Sequence, residues 1–251
     1  MNTTDPTKRA ILDSMKGLVV SCQVQPDDPT FSPDFVVKMA QAAQWGGAAG
    51  LRANIPAQIR DIKAAVDLPL IGLFKIWSPD TNVFITPTLE SALQVWEAGA
   101  EIVALDCTFQ LNSDGRRACE LLPEVQQAIP DAIIFADVSN YEEAKHAVEL
   151  GADIVGPTLR GYTPETSHIE EADYREFARM CRDFGNDVYM MMEGHIYTPE
   201  DAMKAIYVGA HSVVVGSAIT RPHLITKRFT DLLGGYQSNW REAERKSHPN
   251  A

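Results

Sequence analysis

Charged and polar side chains follow several short apolar runs in this sequence, at the points where buried strands would end. Lys75 closes the run Pro69-Leu-Ile-Gly-Leu-Phe-Lys, and Glu193 follows Val188-Tyr-Met-Met-Met. Other groups that donate, accept or titrate occupy the same position after other runs: Gln23, Arg52, Asn54, Asp106, Thr108, Asp137, Ser139, Thr158 and Ser217. If these strand ends converge, the charges among them cost several kcal/mol unless they pair or hold a ligand. We therefore predict one polar site built from the ends of many strands.

Lys75 and Glu193 are the candidates for proton transfer. Partial burial, with Arg52 nearby, would lower the pKa of the lysine, so that its neutral amine could act as a base or attack a carbonyl. A carboxyl beside the three methionines at 190 to 192 should have a raised pKa and could exchange a proton near neutrality. The simpler interpretations are a strand-end lysine that reaches water and a glutamate that only forms a salt bridge.

The elements that must position these side chains alternate between strand and helix. Eight β-branched runs are nearly continuous in apolar character, which is typical of strands buried on both faces of a parallel sheet. Between them lie segments whose apolar residues have the spacing of a helix. Two of these segments have start signals, at Thr88 and Thr198, and a repeated Gly-Ala pair marks helix ends at Gly99, Gly151 and Gly209. The strands recur at intervals of roughly 28 residues, as a barrel of about 250 residues requires. We predict an α/β fold, a single-domain (β/α)8 TIM barrel.

The predicted barrel occupies most of the chain, and no linker or low-complexity run divides it. The expected boundaries are an N-terminal extension over 1–16, the barrel over 17–236 and a polar C-terminal tail over 237–251. An open doubly wound sheet is disfavoured, because Ser21-Cys22-Gln23 stands where Gly-x-Gly-x-x-Gly would follow the first strand.

A second group of residues, after the last two predicted strands, has the features of a phosphate site. Gly194 and Gly216 would let backbone N–H groups approach a ligand closely. Ser217 then leads through Thr220-Arg221-Pro222 into the final helix, and Arg221 adds a cation. Loops after strands seven and eight, with a helix N-terminus, form the recurrent phosphate site of such barrels. We predict that Gly194, Gly216, Ser217 and Arg221 bind phosphate.

Composition argues against several classes of function. The 251 residues include 22 Lys plus Arg against 34 Asp plus Glu, a formal net charge of -12, so nucleic acid and membrane are not expected as partners. The four cysteines are far apart and predict reduced thiols in a cytoplasmic protein: Cys22, Cys107, Cys119 and Cys181. The six histidines are scattered: His146, His168, His195, His211, His223 and His248. We expect no metal site.

Several motifs resemble those of one bacterial family. In the first half of the chain they are Val19-Val-Ser-Cys-Gln23, Gly46-Gly-Ala-Ala-Gly-Leu-Arg-Ala-Asn54, Leu68-Pro-Leu-Ile-Gly-Leu-Phe-Lys75, Phe84-Ile-Thr-Pro-Thr88 and Ile102-Val-Ala-Leu-Asp106. In the second half they are Ala136-Asp-Val-Ser139, Gly156-Pro-Thr-Leu-Arg-Gly-Tyr-Thr163, Glu193-Gly194 and Val213-Val-Val-Gly-Ser-Ala-Ile-Thr-Arg-Pro222. From about Gly17 to Phe229 the chain resembles bacterial N-acetylmannosamine-6-phosphate 2-epimerases. The resemblance implies a cofactor-free phosphosugar barrel that interconverts N-acetylmannosamine 6-phosphate and N-acetylglucosamine 6-phosphate in sialic-acid catabolism.

The same resemblance implies roles for individual residues. Lys75 and Glu193 would be the catalytic pair, and Arg221 would contact the phosphate. Residues that would support or bind the sugar are Gln23, Arg52, Asp137 and Thr158. The chain departs from the family pattern at Ile76-Trp77, where charged and tyrosine residues are usual, and at His195, where an arginine is usual. Both departures lie at the predicted mouth and concern the exact substrate more than the reaction type.

Three questions stay open at the level of sequence. Either member of the Lys75 and Glu193 pair could remove the C2 proton, or one residue could serve both faces. A Schiff-base aldolase that uses Lys75, and a non-catalytic phosphosugar sensor, are the alternative functions. Members of the resembled family look dimeric, and the helix that begins near Pro222 is the candidate contact of a homodimer.

Overall fold

The computed structural model describes residues 5–24 and 28–247. His248 and the outer parts of the predicted N-terminal extension and C-terminal tail lie outside these residues.

Strands and helices alternate along the described chain. The strands are β1 (Gly17–Cys22), β2 (Gly50–Asn54), β3 (Leu70–Leu73), β4 (Ile102–Asp106), β5 (Ile133–Asp137), β6 (Ile154–Gly156), β7 (Tyr189–Glu193) and β8 (Ser212–Val215). The helices are α1 (Pro6–Ser14), α2 (Pro33–Trp45), α3 (Pro56–Ala65), α4 (Leu89–Glu97), α5 (Leu121–Ala128), α6 (Tyr141–Glu149), α7 (Tyr174–Phe184), α8 (Pro199–Tyr207), α9 (Ser217–Thr220) and α10 (Pro222–Ser247). A single 3-10 turn, Ala118–Glu120, precedes α5.

The eight strands close into one parallel barrel. Each strand pairs with the next, and β8 pairs with β1 through Leu18 opposite Val213 and Val19 opposite Val214. The residues of β2, β4 and β5 are buried throughout, because one face of each strand points into the barrel and the other packs under helices. The predicted (β/α)8 barrel is confirmed.

The helix ends follow the predicted signals. Thr88 Oγ1 accepts a hydrogen bond from the Ser91 amide at 3.1 Å, and Thr198 Oγ1 accepts one from Asp201 at 3.1 Å. These hydroxyls satisfy amide groups that the first helical turn leaves without partners. At the other end, the glycines of the repeated Gly-Ala pair have φ values of 99°, 87° and 113°. This left-handed conformation turns each chain from its helix toward the next strand.

The barrel has an inner core and a floor. Side chains of alternate strand positions fill its interior, among them Ile71, Phe135 and Met191. Helix α1 lies at the amino ends of the strands, where Leu12 and Met15 join this inner core. The Ser212 hydroxyl donates to the Met15 carbonyl at 2.5 Å. Helix α1 and Met15, which lie within the predicted N-terminal extension, therefore form part of the barrel's floor.

The C-terminal part of the chain is helical. Helix α10 runs across the boundary predicted between the barrel and the tail. Its apolar side chains Phe229, Leu232 and Leu233 are exposed. Among the described residues, no helix has both the length and the apolar character needed to cross a bilayer.

Candidate active site

A cavity of about 640 Å³ opens at the carboxyl ends of the strands. Its lining includes all but one of the residues to which the sequence assigns a catalytic or binding role: Gln23, Arg52, Lys75, Thr158, Glu193, Gly194, Gly216, Ser217 and Arg221. The exception is Asp137, which is fully buried behind the cavity wall. The strand ends thus bring these residues together because the barrel is closed and all its strands point the same way.

Arg52 is the most constrained charge of the site. Its side chain is 1% exposed, and its two terminal nitrogens donate to Asp137 Oδ1 at 3.0 Å and Oδ2 at 2.6 Å. The same guanidinium donates to Glu193 and lies 5.0 Å above the centre of the Phe135 ring. Asp137 also accepts a hydrogen bond from the Thr158 hydroxyl. A paired guanidinium over an aromatic ring is held in one orientation.

Lys75 follows β3 and is half-buried in the cavity wall. Its backbone amide donates to Asn54 Oδ1 at 2.8 Å, and a bridge to Ile85 holds the segment from the other side. Burial, and then the positive charge of Arg52, lower the pKa of Lys75 to about 8. About a tenth of the amine is therefore neutral at pH 7.

Glu193 ends β7, on the side of the cavity opposite β3. Burial raises the pKa of Glu193 to about 7, and this effect outweighs the opposing effect of Arg52. In the eight-strand order β3 and β7 are four strands apart, so Lys75 and Glu193 enter the cavity from opposite walls. Among the described residues no ion pair joins the two side chains, whereas Glu193 is paired with Arg52. A substrate atom can therefore lie between an amine and a carboxyl that both titrate near neutrality.

The residues predicted to bind phosphate lie where β7 and β8 end. Gly194 has a φ of 102°, which a side chain would disfavour, and a Cβ on Gly216 would lie 3.3 Å from Ser21 Cβ. The backbone is thus close-packed where β8 turns into α9. The Thr220 hydroxyl donates to the Ser21 carbonyl at 2.8 Å and fixes this turn. The nearby Arg221 guanidinium lies 3.9 Å from the Asp28 carboxylate.

The cavity lining does not include four further polar strand-end residues: Asn54, Asp106, Thr108 and Ser139. Asp106 accepts hydrogen bonds from the Thr108 amide at 3.0 Å and from its hydroxyl at 2.6 Å. Ser139 donates to Glu143 from its amide and its hydroxyl, each at 2.7 Å. These groups close loops within the protein. Their position after an apolar run did not distinguish them from the cavity residues.

Sequence reasoning missed part of the cavity lining. Ser21, Phe84, Tyr162 and Tyr197 line the cavity, whereas Trp77 and His195, which line it too, were expected at the mouth. Phe84 and Tyr162 come from long loops, whose folding over the mouth no strand periodicity reveals. Among the residues that the structure describes, no group of three or more His, Cys, Asp or Glu side chains could hold a metal ion.

The chain matches known proteins over most of its length. Residues 36–234 match the family model described as "Putative N-acetylmannosamine-6-phosphate epimerase". Two similar proteins are each named "Putative N-acetylmannosamine-6-phosphate 2-epimerase". The one from Caldanaerobacter subterraneus subsp. tengcongensis is 43% identical over 217 residues, and the one from Clostridioides difficile is 40% identical over 220 residues. The alignments cover 86% and 87% of this chain, and 91% and 97% of the relatives.

A solved structure matches the whole barrel. It is the structure of the N-acetylmannosamine-6-phosphate 2-epimerase from Clostridium perfringens. Its superposition on this chain has a TM-score of 0.82, and the two sequences are 38% identical. The match covers 88% of this chain and 95% of that one. Because the family model spans more than half of the sequence and the relatives align over most of both chains, this chain belongs to the N-acetylmannosamine-6-phosphate epimerase family.

Proposed function

We propose that this protein is an isomerase that epimerises C2 of N-acetylmannosamine 6-phosphate to give N-acetylglucosamine 6-phosphate, without a cofactor. Family membership supports the substrate and the reaction. The observation that carries the chemistry is the placement of Lys75 and Glu193 on opposite walls of one cavity, with pKa values of about 8 and about 7.

The reaction needs one base and one acid on opposite faces of one carbon. In the open-chain sugar the C2 proton lies next to the C1 aldehyde, which acidifies it. A base removes this proton, and the electron pair of the C–H bond moves onto the aldehyde oxygen to give an enolate. An acid on the other face then returns a proton to C2, and the aldehyde re-forms with inverted configuration. In this proposal Lys75 and Glu193 take these roles, exchanging them when the direction reverses.

Arg52 is proposed to stabilise the enolate. Arg52 lines the cavity and donates to Glu193, and a fixed cation aimed at a developing negative charge lowers the barrier without reorganisation. Asp137 lies behind Arg52 and holds it in place, and Asp137 in turn accepts a hydrogen bond from Thr158, so we assign Asp137 as a positioning residue. Gln23, whose amide donates to Ser21 Oγ at 2.9 Å, is proposed to bind the sugar together with Thr158.

The 6-phosphate is proposed to bind at the other end of the cavity. Gly194, Gly216, Ser217 and Arg221 line that end, and Arg221 provides a positive charge there. Lys75 lines the same cavity, whereas the charge of Arg52 is balanced by Asp137 and Glu193. An anionic sugar is therefore attracted even though the chain as a whole is strongly acidic.

The reaction is tested by proton NMR in heavy water. N-acetylmannosamine 6-phosphate incubated with the protein should give N-acetylglucosamine 6-phosphate that carries deuterium at C2. An unlabelled product would rule out proton exchange with solvent, and an unchanged substrate would favour a binding protein. Borohydride treatment in the presence of substrate separates the aldolase alternative, because mass added to Lys75 would reveal an imine.

We also infer that the protein acts as a homodimer in the cytoplasm, in amino-sugar catabolism. The exposed Phe229, Leu232 and Leu233 on α10 support a contact between two copies, and the free cysteines fit a reducing compartment. Sedimentation of the protein and of Leu232→Glu tests the contact. A dimer that the substitution dissociates is expected, and a monomeric parent protein would contradict it.

A further inference from the structure

Five rings line the mouth of the cavity and have no part in the proposed proton transfer. They are Trp77, Phe84, Tyr162, His195 and Tyr197, called here the aromatic rim. Trp77 and Phe84 form a stack with centroids 4.2 Å apart and planes inclined by 14°. On the other side, His195 lies 6.0 Å from Tyr162 and 6.4 Å from Tyr197, measured between ring centroids.

The aromatic rim stands directly beyond the proposed catalytic pair. Trp77 is two residues after Lys75, on a short antiparallel turn held by the bridges of Lys75 to Ile85 and of Ser78 to Thr81. His195 is two residues after Glu193 and is held by a hydrogen bond of its Nε2 to the Arg160 carbonyl at 3.2 Å. Because β3 and β7 are opposite in the barrel, these two halves of the rim face each other across the mouth.

The chemistry of the substrate decides which of its parts meets these rings. The acylamino nitrogen is bonded to C2, the carbon that the proposed mechanism holds between Lys75 and Glu193. The phosphate is on C6, four bonds along the carbon chain, and it is directed to Arg221. The acyl group therefore leaves the sugar next to the catalytic pair, where the residues that follow Lys75 are near it.

The rim differs from the rest of the cavity in its charge. Arg52 is 1% exposed and lies deeper than the rim, but the Arg228 guanidinium lies 3.9 Å from the centre of the Tyr197 ring. The apolar half of the rim is therefore the stack of Trp77 on Phe84. Trp77 is 66% exposed and Tyr162 is 61% exposed, so both rings have apolar surface left to cover. An uncharged hydrocarbon chain fits this environment, because it covers ring faces without removing an ionic group from water.

We propose that the aromatic rim is a specificity-determining subsite that takes the acyl chain on the C2 nitrogen and accepts acyl groups longer than acetyl, with Trp77 as its main contact. This inference rests on the proposed epimerase function. It extends the substrate class to hexosamine 6-phosphates with larger apolar N-acyl groups.

The test compares N-acetyl-, N-butanoyl- and N-hexanoylmannosamine 6-phosphate as substrates of the parent protein and its variants. Each methylene taken out of water favours binding by up to a factor of about four. The parent protein should therefore process the hexanoyl substrate with a kcat/KM at least equal to that for the acetyl substrate. Trp77→Ala should lower the hexanoyl-to-acetyl ratio of kcat/KM about tenfold, mainly through KM, and Trp77→Phe should restore part of it.

Trp45→Ala is the matched control. Trp45 is 94% exposed at the end of α2 and does not line the cavity, so its removal should leave the ratio unchanged. A Trp77→Ala variant that weakens all three substrates equally would place the ring against the sugar and overturn the proposal. Failure of the parent protein on the hexanoyl substrate alone would also overturn it. Failure on every substrate, acetyl included, would refute the proposed function instead.

Discussion

The two ends of the barrel are both closely packed, yet they use different kinds of side chain. At the floor, Leu12 and Met15 are almost completely buried among apolar neighbours, and the Ser212 hydroxyl is bonded to the Met15 carbonyl. At the mouth, Arg52 and Asp137 are as deeply buried but carry full charges. Depth of burial therefore does not distinguish the stabilising end from the end that carries the chemistry.

The difference lies in how the polar groups of each end are paired. At the floor, Tyr189 and Ser212 are bonded to each other at 3.0 Å, within the protein. At the mouth, Glu193 is paired with Arg52 on one side and faces the cavity on the other, and Lys75 forms no ion pair with it among the described residues. Buried ion pairs contribute little net stability compared with apolar packing. We infer that the floor contributes more to the stability of the barrel than the mouth does, which fits the role proposed for the charges of the mouth.

Removal of either member of the proposed catalytic pair should have the largest effect. Glu193→Gln and Lys75→Met each keep the approximate shape of the side chain but remove its proton exchange. We expect kcat to fall by a factor of about 10² to 10⁴, the usual contribution of a general acid or base. Coupled measurement of N-acetylglucosamine 6-phosphate formation gives kcat, and denaturant titration gives the free energy of unfolding.

Glu143→Gln is the control for that experiment. Glu143 is also a buried carboxyl, but it accepts hydrogen bonds from the Phe109 amide at 3.0 Å and from Ser139, and it does not line the cavity. Its substitution should lower stability while the folded protein keeps its kcat. Turnover in Glu193→Gln within tenfold of the parent protein would show that the carboxyl has no catalytic part.

Truncation at the floor should have the reverse effect. Leu12→Ala removes a side chain that is 1% exposed, and we expect the free energy of unfolding to fall by about 2 to 5 kcal/mol. Arg9→Ala on the exposed side of α1 breaks only a surface ion pair with Asp13 and should change it by about 0.5 kcal/mol or less. Urea titration of both variants measures these changes. A reduced kcat in folded Leu12→Ala would mean that the floor and the mouth are coupled.

The barrel and most of the mouth were predictable from sequence for one physical reason. Parallel strands buried on both faces are continuous apolar runs, and a closed barrel brings the residues after them together. The sequence therefore predicts that Lys75, Glu193 and Arg52 lie in one site. Their assigned roles in catalysis and binding remain predictions.

Other features depend on tertiary contacts that no local pattern encodes. Asp106 and Asp137 end adjacent strands as register partners, yet only Asp137 meets Arg52, whereas Asp106 is satisfied by Thr108. The stack of Trp77 on Phe84 joins two ends of a loop. The polar composition of the C-terminal residues gave no sign that α10 continues through them, since exposed helices are also polar.

The smallest of the expected effects, and the one most specific to the mouth, is the dependence of kcat/KM on pH. Turnover requires one member of the pair to be protonated and the other to be deprotonated. With the pKa of Glu193 raised to about 7 and that of Lys75 lowered to about 8, the carboxylate and ammonium coexist best between these values. Below about 7 the carboxylate is protonated, and above about 8 the ammonium loses its proton. The profile should be bell-shaped and fall tenfold per pH unit on each side.

Asp137→Asn sharpens this prediction because Asp137 faces the pair but does not line the cavity. Its negative charge raises the pKa of both Glu193 and Lys75, so its removal should move both limbs of the profile to lower pH. A merely structural role would change the height of the profile and leave its limbs in place. A parent profile whose acid limb lies near the ordinary glutamate pKa of about 4.3 would contradict the assignment of a buried, proton-exchanging Glu193.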